Sequence, residues 1–197
     1  MGGNKLMLNK HTYLALGDSY TIGESVEANK TFPYLLAQKK NWKTPTVIAK
    51  TGWTVQNLNK ELANTTLASK YDFISILIGV NNQYQGLSIV QYEKELEKLI
   101  AFSFEKIKDK NNIFILSVPN YGATPFGKNW QSYIGFEIRE LNILIEKVAQ
   151  KHQIQFISIT PISEKANKEI ALLASDLLHP STKMYDLWVD KIIDVLI

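Results

Sequence analysis

The chain has 197 residues and a mass of 22.4 kDa, the size of one domain. Hydrophobic residues at 45% and aromatics at 11% supply enough apolar material for a packed core, which excludes a disordered chain. A net charge of +3 is too small to argue for nucleic acid or an anionic membrane as partner, and the absence of cysteine removes disulfides, thiolate metal sites and a cysteine nucleophile together.

Residues 1–10 read as a polar N-terminal arm and 11–197 as the domain. The arm is too short and polar for a signal peptide, and no apolar run approaches the roughly 20 residues that cross a bilayer. A soluble protein is expected. Its compartment (cytoplasmic, or exported after loss of a signal) and its oligomeric state stay open.

Along the chain, short β-branched runs alternate with helical patterns. The runs are Tyr13–Leu16, Thr46–Ala49, Phe73–Ile78, Asn112–Val118 and Ile154–Ile159. Their near-continuous apolarity suits parallel strands buried on both faces. Ser88 is placed to cap a helix with Ile89, Tyr92, Leu96, Leu99, Ile100, Phe104 and Ile107 on one side, and with Glu93, Lys94, Glu95, Glu97 and Lys98 on a solvated face. A second long helix presents Ile134, Ile138, Leu141, Leu144, Ile145 and Val148. A third runs from about Ser181 with Met184, Leu187, Trp188, Ile192 and Val195 on its stripe. The expected fold is a single α/β domain, doubly wound in three layers, with a five-stranded, mostly parallel sheet of flavodoxin-like type. In such sheets ligands gather beyond the carboxyl ends of the strands, where strand order reverses.

The segments after the strands are therefore the place to look for chemistry. After the first comes Gly17-Asp18-Ser19-Tyr20-Thr21-Ile22-Gly23, which lacks the Lys-Ser/Thr of a P-loop and the glycine spacing of a dinucleotide loop. Taken alone, Ser19 reads as a helix cap before it reads as a nucleophile. Gly52, after the second strand, reads first as a turn and second as a backbone N–H open to a substrate. Asn81 and Asn82, after the third, serve equally as local backbone partners or as amides aimed at an oxyanion. Of three histidines, His11 sits in the polar arm and His152 in a turn, neither with an obvious partner. His179 follows Asp176 by three residues and precedes Pro180. Such a turn can join carboxylate to imidazole, or hold only a capping Asp and a half-buried His.

Together, Gly17-Asp18-Ser19, Gly52, Gly79-Val80-Asn81 and Asp176-x-x-His179-Pro180 resemble, in order and position, the SGNH subgroup of the GDSL esterase/lipase family. That resemblance implies a serine esterase acting on carboxylic esters, either small or medium acyl groups or O-acetyl groups. Ser19 would be the nucleophile, His179 the general base and acid, and Asp176 the group that orients it. The oxyanion hole would comprise the Ser19 N–H, the Gly52 N–H and the Asn81 amide. No cofactor or metal is implied, and the partner is a small-molecule ester such as an acylated sugar or lipid. Two departures stand out: Asn82 where the family commonly has Asp, and Leu177-Leu178 where a glycine is common. Tyr20, Trp53, Tyr84, Tyr121, Phe126 and Trp130 are loop aromatics that could stack on a sugar or line an acyl pocket, at least half of them expected to be packing residues. The stretch Pro119–Gly127 reads as a pocket rim. Two rivals remain in view: a flavodoxin-like cofactor binder, and a non-catalytic SGNH-fold domain that binds carbohydrate or a partner.

Overall fold

A computed structural model describes residues 10–196; the expected arm, apart from Lys10, and Ile197 lie outside the described residues. Five strands form one sheet: β1 (Tyr13–Gly17), β2 (Thr46–Ala49), β3 (Phe73–Leu77), β4 (Ile113–Leu116) and β5 (Gln155–Ile157). Every pairing is parallel and the order is β2-β1-β3-β4-β5, so the sheet is parallel throughout rather than mostly so. The reversal point falls at β1, which has β2 on one side and β3 on the other.

The last two expected strands overrun the observed ones by a couple of residues at their carboxyl ends. There Ser117 takes over from the ladder: its hydroxyl accepts the Ile159 and Thr160 N–H groups at 2.8 and 2.9 Å. A side chain thus satisfies the buried backbone while the chain turns out of the sheet.

Among the described residues the α-helices are α1 (Ser19–Ile22), α2 (Phe32–Lys39), α3 (Val55–Asn64), α4 (Val80–Tyr84), α5 (Ile89–Lys106), α6 (Gln131–Lys151), α7 (Thr160–Glu164) and α8 (Thr182–Val195). Helix α3 packs on α5 and α5 on α6, whereas α2 packs on α8, giving a helical layer on each side of the sheet. Hydroxyls cap three of them as their sequences demand: Ser88 on α5, Ser181 on α8, and Thr54 in a reciprocal capping box with Asn57 on α3.

The charged face of α5 is not uniformly wet. Glu95 is only 7% exposed. Asn59 of α3 reaches across to its carboxylate at 2.8 Å, and Lys98 and Gln91 complete the set at 2.7 and 3.1 Å. The Lys98 hydrogen bond leads in drawing its pKa below the ordinary range. Ile89, expected on the apolar side, is exposed, because α5 begins beyond the edge of the core. The two histidines without an obvious partner do have partners: His152 pairs with Glu97 of α5, and His11 lies 3.7 Å from Asp72 with its ring edge-on to Phe73.

Gly17 ends β1 where no side chain fits. A Cβ there would stand 2.0 Å from Thr21 Oγ1 and 2.3 Å from the Leu77 carbonyl oxygen. The expected effect of Gly17→Ala is a loss of about 3 kcal/mol, since backbone atoms of β3 must move to admit the methyl group. Urea denaturation of the variant checks this.

Candidate active site

The turn after β1 begins with Asp18, not Ser19, as the helix cap: Asp18 Oδ1 accepts the Tyr20 N–H at 3.0 Å. Ser19 is therefore the first residue of α1, its hydroxyl free of capping duty. It is nearly buried, yet it lines a cleft of about 190 Å³.

The same cleft is lined by Gly52, Asn81 and His179. Gly52 has φ +83°, which a glycine adopts without strain, and a Cβ there would meet nothing within 4 Å. The residue is glycine because of its backbone angle, and its open side faces the cleft. The Asn81 amide donates to the Trp53 carbonyl at 2.9 Å, which ties α4 to the Gly52 loop and leaves its second N–H hydrogen uncommitted. Gly79, at φ +136°, lets the chain turn beneath it with Tyr92 packed against its Cα.

Asp176 lies behind His179. The imidazole Nδ1 is 2.7 Å from Asp176 Oδ2, and Oδ1 accepts the N–H groups of Leu178 and His179 at 3.0 and 2.9 Å. A residue that sequence reading passed over joins them: Ser25 donates its hydroxyl to Oδ2 at 2.7 Å. Desolvation alone would raise the carboxyl pKa, but these hydrogen bonds, led by that of His179, outweigh it and hold it at about 2. The Tyr20 ring packs on the imidazole with centroids 5.4 Å apart.

Asn82, the other departure in this block, does the work of a local backbone partner. Its Oδ1 accepts the Val55 N–H at 3.0 Å and its Nδ2 donates to Gln56 at 2.9 Å, fixing the start of α3. Of the six loop aromatics, Tyr20, Tyr84, Tyr121 and Phe126 line the cleft. Trp53 packs on the core and Trp130 is exposed. Tyr20 and Tyr121 are buried as well, so lining and packing are not exclusive roles. The Pro119–Gly127 stretch contributes Tyr121 and Phe126 as rim, but its first half is buried, with Asn120 accepting the Gly122 N–H and donating to Glu164. Among the described residues no three His, Asp or Glu side chains gather as a metal would require, and no helix is long and apolar enough to cross a membrane.

A parallel sheet ordered in this way, with a serine turn after β1 and an Asp-x-x-His loop before the last helix, defines a three-layer α/β protein of the SGNH hydrolase type. The chain belongs to the GDSL-like lipase/acylhydrolase family, whose model matches residues 15–187. No curated protein matches it. Similar solved structures include a lipolytic protein of the G-D-S-L family from Veillonella parvula, with 19% identity, a TM-score of 0.72, and coverage of 93% of this chain and 97% of that one. The lipase/acylhydrolase from Enterococcus faecalis has 20% identity and a TM-score of 0.72, covering 94% and 95%. An acetylxylan esterase from Geobacillus stearothermophilus has 20% identity and a TM-score of 0.70, covering 93% of each chain. At these identities the likeness is one of fold.

Asp18 is the second carboxyl near this cleft, and it is shifted the other way. Burial penalises its charge more than the Tyr20 and Gly79 N–H groups offset, and its pKa is pushed up to about 7. A folded-state value above the unfolded one means that its contribution to stability is complete below about pH 4 and is lost as pH rises through 7. The expected outcome is that wild type weakens relative to Asp18→Asn by up to about 4 kcal/mol between pH 4 and pH 8. Urea denaturation of both proteins across that range measures it, and a flat difference would contradict it.

Proposed function

We propose that the protein is a serine esterase that hydrolyses carboxylic esters with small or medium acyl groups, O-acetyl groups among them. The observation that carries this reading is the meeting of Ser19, Gly52, Asn81 and His179 in one cleft, with the imidazole held from behind by an ionised Asp176.

The chemistry follows from the tautomer. With Asp176 ionised, Nδ1 keeps its proton for the carboxylate, and Nε2 is left as the base. Nε2 takes the Ser19 proton as Oγ attacks the ester carbonyl. The resulting oxyanion receives hydrogen bonds from the Ser19 and Gly52 N–H groups and from the uncommitted hydrogen of the Asn81 amide. The imidazolium returns the proton to the departing alcohol, leaving an acyl-serine. Water, deprotonated by the same nitrogen, releases the acid and restores Ser19.

The walls support the acyl assignment. Val80, Tyr84, Tyr121, Phe126 and Leu178 make the cleft largely apolar. The cleft is small, about 190 Å³, which supports a small or medium acyl group. Specificity for p-nitrophenyl esters is expected to peak at short chains and fall as the chain lengthens; a rising series would remove the size assignment.

A fluorophosphonate probe is expected to label Ser19, as read by peptide mass mapping, and Ser19→Ala to abolish turnover. Labelling of another residue, or none, would count against the whole reading. Asn81→Ala should lower kcat by about 100- to 1,000-fold. Its stability should fall by only about 1 kcal/mol, for the lost bond to the Trp53 carbonyl. Equal collapse of folding and activity would return Asn81 to a local structural role.

A further inference from the structure

The short turn after α1 reaches both sides of the cleft. Gly23 closes the helix at φ +84°, and Ser25 follows at φ +65°, one of few non-glycine residues in the left-handed region. A serine has no intrinsic preference for that angle, and holding it there costs about 1 kcal/mol. Glu24 accepts a hydrogen bond from Thr51, the neighbour of Gly52. Ser25 donates to Asp176 Oδ2, the oxygen that also faces His179 Nδ1. The turn itself is fixed from within, since the Gly23 and Glu24 N–H groups both bond the Ser19 carbonyl, at 3.0 and 3.1 Å.

We infer that Ser25 is a positioning residue, whose hydroxyl sets how strongly Asp176 holds the imidazole of His179. This rests on the catalytic reading above. The physical reason is direct. A donor on Oδ2 draws negative charge from the oxygen that faces the ring. Without it, Asp176 grips the imidazolium more tightly, and the proton is harder to remove. The other titratable groups around Asp176 do not compete for this role. Tyr20 of α1 and Tyr185 of α8 are held far above their ordinary range, first by burial, and stay neutral. Asp18 is engaged in capping α1 through the Tyr20 N–H, and Glu24 is engaged by Thr51.

The test is the pH profile of kcat/KM on a short-chain p-nitrophenyl ester for wild type, Ser25→Ala and Ser25→Gly. Alanine removes the hydroxyl and keeps the backbone cost; glycine removes both. Both variants are expected to move the acid limb up by about half a pH unit, because a hydrogen bond to a partly exposed charge transmits only part of its strength. The plateau should stay within about threefold, as for a group that touches no reacting atom. An acid limb that superimposes on wild type in both variants would overturn the inference, since water would then replace the hydroxyl without consequence. A shift in alanine that glycine abolishes would overturn it too, by tracing the effect to the backbone. Fluorophosphonate labelling runs alongside: failure to label Ser19 in wild type removes the catalytic reading and this inference with it, whereas labelling with unmoved profiles removes the inference alone.

Discussion

The hydroxyl of Tyr185 donates to the carbonyl of Tyr20 across 165 positions of sequence, at 3.0 Å and fully buried. This contact joins the Ser19 turn to the helix that follows the His179 loop. Both phenols are kept neutral by burial, so the bond is not weakened by ionisation in ordinary buffers. Around it Phe32, Tyr185 and Trp188 pack as a cluster, with the Tyr20 ring lying between Trp188 and His179. Aromatic pairs of this kind contribute about 1 kcal/mol each beyond the area they bury. Ser19 is the residue before Tyr20, and Ser181, two after His179, caps the helix that carries Tyr185. Moving either aromatic would move one half of the cleft relative to the other.

Much of this arrangement was legible from pattern. Unbroken β-branched runs announced strands buried on both faces; a strand lies at each run, buried in β1, β3 and β4 but only half-buried in the edge strand β2 and exposed at Gln155 of the edge strand β5. Ser88 announced a cap because a hydroxyl ahead of an amphipathic run has few other uses. What escaped was set by neighbours distant in sequence. Helical periodicity puts Glu95 on the wet side of α5, and only the approach of Asn59 from α3 makes it buried. His152 looks solitary until α5 brings Glu97 beside it. Ser25 carries no local signal at all, because its partner lies 151 positions away.

The two departures from the family pattern have different physical characters. Asn82 is integrated: it accepts from the Val55 N–H and donates to Gln56, using both ends of its amide. Leu177 is not integrated in that sense. It holds φ +58° while 45% exposed, an angle that favours glycine, with its N–H bonded to the Ala174 carbonyl. Its strain is offset by the loop as a whole, where the Ala174 N–H bonds the His179 carbonyl and the Leu178 and His179 N–H groups share one carboxylate oxygen. The loop shape is therefore kept without the glycine, by hydrogen bonds that converge on Asp176.

The opposite shifts of Asp18 and Asp176 come from two differences: how completely each carboxylate gives up its water, and how strong a set of donors it is offered in return. Asp176 is only partly buried and receives the imidazole, the Ser25 hydroxyl and two backbone N–H groups, enough to keep it ionised well below neutral pH. Asp18 is wholly buried, and its backbone N–H donors do not compensate. None of the residues lining the cleft is itself a carboxylate, and position 82 supplies none either. The field on the imidazole is thus dominated by a single negative group held at 2.7 Å. With one dominant charge, its strength becomes the quantity that local donors adjust, and few groups are placed to adjust it. Burial fixes Asp18 and the tyrosines, the backbone N–H groups cannot be varied by side chain, and the hydroxyl of Ser25 is the side-chain donor besides the imidazole itself.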